Sequence, residues 1–184
     1  WVCPSWYSPR PDSGTVVEID PGMAFGTGSH ETTRLCLEYL SRMDLAKKTV
    51  IDFGCGSGIL GIAASKLGAS FVTGLDIDDG AVQVANENAV KNDVSDKCIA
   101  LHTRDFFDKG RKCCPVDIVI ANILANTLVE LSDKICSLVS CGGLLMLSGI
   151  LQSQVNLVTS AYAGVFEFDI HQDQDWALLV GFKK

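Results

Sequence analysis

The chain has 184 residues, 47% of them hydrophobic, enough to bury one α/β core and too few for two. Its formal net charge of −7 comes without a basic stripe, which argues against free nucleic acid as a substrate and favours a basic protein partner. No apolar run reaches the ~18–20 residues of a membrane span, the start carries no basic-then-apolar signal pattern, and the histidines stand far from any paired cysteines, against zinc.

Residues 1–20 are rich in Pro, Ser and Trp and become extended at Thr15–Ile19, a lead-in strand and linker. Residues 21–30 form a glycine-rich loop, and Glu31–Met43 places Leu35, Leu37, Leu40 and Met43 near helical spacing. Strand and helix then alternate at 49–53, 59–67, 71–76, 79–92, 98–102, 116–121, 126–139, 143–148 and 152–162. Two extended runs close the chain, Val165–Ile170 and Trp176–Phe182. Alternation of this kind predicts a mostly parallel sheet with helices on both faces, and the closing pair predicts a hairpin with an antiparallel edge strand. The eight cysteines contain no C-x-x-C pair and several sit in apolar runs, as small buried hydrophobes of a reducing compartment do.

The most informative stretch is Asp52-Phe53-Gly54-Cys55-Gly56-Ser57-Gly58, between the apolar runs 49–51 and 59–64. It reads as strand, tight turn, helix, with glycines letting the backbone approach a ligand at a helix N-terminus. Gly56 to Gly61 satisfies the dinucleotide pattern G-x-G-x-x-G, and Asp76 follows Gly56 by 20 residues. That fingerprint is displaced from the strand by Asp52, Gly54 and Cys55. An acid two residues before G-x-G-x-G resembles instead the first motif of the seven-stranded S-adenosylmethionine (SAM) methyltransferases, where Asp52 can attract an α-ammonium group. Asp76, closing the run 71–76, is placed to accept ribose hydroxyls, while Asp78 suits a helix N-cap.

Three further segments carry candidate chemistry. Asn122 stands where the fourth strand of the alternation opens into its loop, the position of catalytic groups in open α/β sheets. The loop continues Ile123-Leu124 rather than with paired prolines and an aromatic, which favours a tetrahedral amine over a planar amide as acceptor. Asp105, after the third strand, is a candidate for the adenine amino group, or a turn residue. In Asp20–Thr33, Met23 and Phe25 give the glycine-rich loop an apolar cover. Ser29, or Thr32 and Thr33 as hydroxyl donors, stands where a helix begins and suits a carboxylate, and His30 is a loop hydrogen-bonding residue or an assisting base.

The runs PGMAFGTGSHETT, VIDFGCGSGILGIAASKLGA, LDID, ANILA and GGLLMLSGIL, in that order, resemble the ribosomal protein L11 methyltransferase (PrmA) family from about Trp6 onward. The resemblance implies a Rossmann-like, seven-stranded SAM-dependent fold. It implies methylation of lysine and N-terminal amino groups on that large-subunit ribosomal protein, in the cytoplasm and by a monomer. It puts cofactor contacts at Thr33, Gly54, Asp76 and Asn122, to which the residue reading adds Asp52, Gly56 and Asp105. Asn122, His30 and Phe25 are the expected catalytic positions. Residues 1–20 are expected to lead in from an N-terminal substrate-recruiting domain, and residues 21–184 to form the methyltransferase domain.

Overall fold

The computed structural model describes residues 1–7, 14–20, 28–108 and 114–184. Two short strands, β1 (Val2–Cys3) and β2 (Val17–Glu18), pair in parallel. Helix α1 (Glu31–Leu40) leads into β3 (Thr49–Phe53), α2 (Ile59–Lys66), β4 (Phe71–Asp76), α3 (Asp79–Lys91) and β5 (Cys98–His102). The short α4 (Thr103–Asp108) follows directly on β5. After β6 (Val116–Asn122) come α5 (Ala125–Glu130), α6 (Ser132–Leu138), β7 (Val139–Leu151), a 3₁₀ turn at Gln152–Gln154, α7 (Val155–Ala161), β8 (Phe166–Asp173) and β9 (Trp176–Lys183).

Strands β3 to β9 form one sheet in the order β5-β4-β3-β6-β7-β9-β8. β9 runs antiparallel to both neighbours, as the closing hairpin required, and it enters between β7 and β8 so that β8 takes the edge. Period-2 side-chain alternation divides the core. Val50, Ile118, Leu144 and Met146 face α1 and α2, whereas Ile51, Val119, Leu145 and Leu147 face α5, α6 and α7. The chain winds outward in both directions from the β3–β6 pair, which puts a crevice beyond the carboxyl ends of those two strands.

Several element boundaries depart from the sequence pattern. The helix expected over 126–139 breaks at Leu131, whose backbone flattens to φ −100°, ψ 12°. The break lets Leu131 face the crevice while Ile135 and Leu138 stay in the core. β7 is longer than 143–148 because both neighbours extend it: Val139 pairs with Val116, and Ile150 and Leu151 pair with Ala177 and Trp176 across a register shift at Ser148–Gly149. The helix expected over 31–43 ends at Leu40, where Ser41 caps it through the Leu37 carbonyl.

The lead-in segment is fastened to the domain by a side chain that imitates a strand. Asn92, 3% exposed, accepts the Glu18 N–H through Oδ1 and donates Nδ2 to the Glu18 carbonyl, both at 2.8 Å. Asp20 reinforces this with the Ser5 N–H at 2.7 Å and Lys91 Nζ at 3.0 Å. These bonds hold the Asp20 carboxyl well below the usual carboxylate range, at about 2. Replacing Asn92 by alanine strands two part-buried backbone groups of Glu18, so Asn92→Ala is expected to lower the unfolding free energy by about 1–2 kcal/mol in a urea titration.

Candidate active site

Helix α2 begins with a defect that the fold repairs. Its N-cap is Gly58, which has no side chain to offer, so the Gly61 N–H in the first turn needs an acceptor from elsewhere. Asp52, the penultimate residue of β3, supplies it: Oδ2 accepts the Gly61 N–H at 2.9 Å. Between these residues the chain turns through Gly54, Gly56 and Gly58 at φ 76°, 51° and 79°, values that favour glycine. The Gly54 and Cys55 N–H groups both donate to the Leu75 carbonyl, at 2.7 and 3.1 Å. From β4, Asp76 accepts the Gly56 N–H at 2.9 Å and the Asp78 N–H at 3.1 Å. The glycine turn is therefore gripped from below by one carboxylate and from the side by another.

Burial is severe at the lower one. Asp52 is 1% exposed, and loss of hydration with the nearby Asp76 charge pushes its carboxyl up to about 7 against the pull of the Gly61 N–H. Burial likewise raises the thiols that feel the Asp52 charge, Cys36 and Cys98 to about 12 and Cys55 higher still. They are protonated, unreactive sulfurs at neutral pH.

Helix α1 closes the opposite wall. His30 is its N-cap, with Nδ1 accepting the Thr32 N–H at 3.3 Å and standing 2.9 Å from the Thr32 hydroxyl. The imidazole meets Trp176 edge to face at 4.8 Å between centroids. Asn122 Nδ2 donates to Thr33 Oγ1 at 3.3 Å, which ties the end of β6 to α1. A Cβ on Gly54 would collide with the Ile123 side chain, and one on Gly149 would collide with the Ile123 carbonyl. The loop after β6 is thus wedged between two glycines of positive φ.

These elements enclose a cavity of about 580 Å³. His30, Thr33, Asp52, Gly54, Gly56, Asp76 and Asn122, all singled out from the sequence, line it together. Phe25 and Met23 lie outside the described residues. Asp105 does not join the group: it is exposed in the first turn of α4, because the chain turns helical at Thr103, and Thr103 lines the cavity in its place. Leu124, noted in the sequence as part of the loop after Asn122, also lines it, as do Trp176, Ile77, Leu131 and Gly149, none of which the sequence singled out for the site. Trp176 follows a polar run and looked only like the start of a strand. Its place depends on β9 docking against β7, which local pattern does not encode. Among the described residues no group of three or more His, Cys, Asp or Glu is placed to hold a metal ion, and no helix is long and apolar enough to cross a membrane.

A narrow glycine turn flanked by carboxylates, opening into the same cavity as an Asn-led loop, suits a cationic ligand with vicinal hydroxyls. The family model for ribosomal protein L11 methyltransferase (PrmA) matches residues 1–184. The chain belongs to the PrmA family. It is 49% identical over 185 residues to the ribosomal protein L11 methyltransferase of Salmonella arizonae, covering 100% of this chain and 62% of that protein. The crystal structure of a ribosomal protein L11 methylase from Lactobacillus delbrueckii subsp. bulgaricus superposes with a TM-score of 0.87 at 35% identity, over 100% of this chain and 94% of that one. An O-methyltransferase from Bacillus cereus in complex with SAH shares the fold at a TM-score of 0.69 and 11% identity, over 85% of this chain and 84% of that one. The chain spans about three-fifths of the length of the curated PrmA relatives it matches.

The Asp52 environment has a measurable signature. A carboxyl whose folded value of about 7 exceeds its ordinary 3.8 favours folding fully below pH 3.8, and that contribution is lost as pH rises to about 7. Asp52→Asn keeps an acceptor for Gly61 and removes the titration. The fall in ligand-free stability between pH 5 and pH 8 should therefore shrink by roughly 2–3 kcal/mol, at about 1.36 kcal/mol per pKa unit, in denaturant titrations at the two pH values.

Proposed function

We propose that this chain carries out SAM-dependent N-methylation of lysine and N-terminal amino groups on ribosomal protein L11, with residues 21–184 performing the transfer and residues 1–20 leading into them. The observation that carries the reading is the glycine turn between Asp52 and Asp76 sharing one cavity with Asn122. PrmA membership supports the substrate. The residues present fit SAM: the turn through Gly54 and Gly56 presents backbone to the cavity, Asp76 keeps acceptor capacity for ribose hydroxyls, and Asp52 faces the cavity with an acid that an ammonium group would hold ionised.

SAM, when bound, supplies a methyl group on a positively charged sulfur, already electrophilic, so the chain's work is alignment and exclusion of water. Thr33 at the head of α1 suits the carboxylate of the cofactor, in the field of the helix N-terminus. Asn122, held by Thr33, presents its carbonyl and amide oxygens to the incoming amine. A lysine side chain has a pKa of ~10.4 in water and must arrive neutral; the apolar wall of Ile123, Leu124 and Leu131 lowers that value by desolvation. His30, with Nδ1 accepting from α1, has Nε2 as its protonated nitrogen when neutral and serves to orient the entrance rather than to take a proton. The net charge of −7 suits a basic ribosomal protein in the cytoplasm.

Incubating the full-length enzyme with labelled SAM and total ribosomal protein tests the reading, with label expected on L11. Label on a different protein would make it a protein-lysine methyltransferase of other specificity, and none on any amine would leave a SAM-binding module. For the chain itself, Asp76→Ala removes the ribose acceptor and the brace on Gly56 together. It should weaken SAM binding by about 1.5–3 kcal/mol in calorimetry, the range for a charge-assisted bond lost in a buried site.

A further inference from the structure

We propose that His102 is a positioning residue of the cofactor cavity, its one imidazole fixing both Ile77 and Thr103 in the wall beside Asp76. The proposal rests on the reading that this cavity takes SAM, whose adenosine end would lie along that wall.

Strands β4 and β5 stop level with each other, Asp76 opposite His102, and no ladder continues beyond them. Ile77 comes next in the chain and lines the cavity although it is 80% exposed, so packing does not hold it. Two hydrogen bonds do: the Asp78 N–H to Asp76 Oδ1 at 3.1 Å, and His102 Nε2 to the Ile77 carbonyl at 3.0 Å. On the other side Thr103 begins α4, a helix of six residues held further along by Phe106 and Phe107, which pack partly buried against the core, with Lys134 Nζ 3.8 Å from the Phe107 ring centre. Its first turn is capped by the same imidazole, the Arg104 N–H donating to His102 Nδ1 at 3.0 Å.

The two bonds require the same tautomer. The Arg104 N–H needs an unprotonated Nδ1, which puts the ring proton on Nε2, and a protonated Nε2 is what the Ile77 carbonyl needs. Each contact thereby supports the other, and one ring both holds the Ile77 carbonyl and caps the helix that Thr103 opens. Asn and Gln each reproduce half of it: an Asn amide oxygen stands in for Nδ1, a Gln amide N–H for Nε2.

The test combines ¹⁵N NMR of the imidazole in the ligand-free chain with calorimetric titration of S-adenosylhomocysteine into wild type, His102→Ala, His102→Gln and His102→Asn. Wild type should show Nδ1 unprotonated and Nε2 protonated at pH 8. His102→Ala should weaken binding about tenfold, the effect of about 1.4 kcal/mol. His102→Gln should recover to within about threefold of wild type while melting no higher than His102→Asn, because it restores Ile77 and not the α4 cap. The opposite tautomer, a His102→Ala affinity within twofold of wild type, or a His102→Gln as weak as His102→Ala overturns the assignment. Wild-type chain that binds no S-adenosylhomocysteine overturns the functional reading and this one with it, whereas unchanged His102→Ala binding beside normal wild-type binding overturns this one alone.

Discussion

The bond between the Gly61 amide and the Asp52 carboxylate is the contact around which the rest is arranged. A glycine N-cap gives α2 the tight entry that a close-approaching turn needs, but leaves the helix without a capping oxygen. Asp52 reaches that amide only by standing inside the protein, where its ionised form is disfavoured. The arrangement trades stability for preorganisation: an acid whose ionised form is disfavoured is held beneath the glycine turn, facing the cavity where a cation would offset its burial. Asp76 completes the frame by holding the same turn from β4.

A second constraint links this turn to the reacting end of the site. The loop after β6 has no freedom of its own, because Ile123 lies between Gly54 and Gly149, and no residue larger than glycine fits at either. Three strands, β3, β6 and β7, thus converge on one residue, and the Asn122 that precedes it is fixed from the other direction by Thr33. Asn122 is thus held from one side by the wedged loop and from the other by the Thr33 hydroxyl, the kind of support on which alignment depends.

How much of this was legible in the sequence depends on the range of the interaction. The glycine turn, Asp76 at a strand end, Asp78 as a cap and Asn122 at a loop entrance are local features: spacing and residue type define them within a few positions. The strand–helix alternation was legible for the same reason, down to β3 and β4 at their observed bounds. Trp176 and Ile77 were not, since their roles follow from which strands lie side by side and where pairing stops. His102 needed two partners, one 25 residues away, before its ring acquired a role. Asp105, read from the sequence as following the third strand, stands exposed in the first turn of a helix that the local pattern did not announce, outside the cavity lining. The break at Leu131 was hidden because Leu128, Leu131, Ile135 and Leu138 keep helical spacing straight through it.

The position of β9 sets an order on folding. It is the last strand in sequence, yet it sits inside the sheet, bonded to β7 along one edge and to β8 along the other. During synthesis β8 is made first and has nothing to pair with until residues 176–183 emerge. The five-strand portion from β5 to β7 is complete by then, with β7 left as an apolar open edge of Leu144, Leu145, Met146 and Leu147. Such an edge is a template for wrong partners. The nascent chain passes through this exposed state every time it is made, and Trp176, at the leading end of β9, both ends the exposure and closes the cavity. Formation of the site is therefore among the final events of folding.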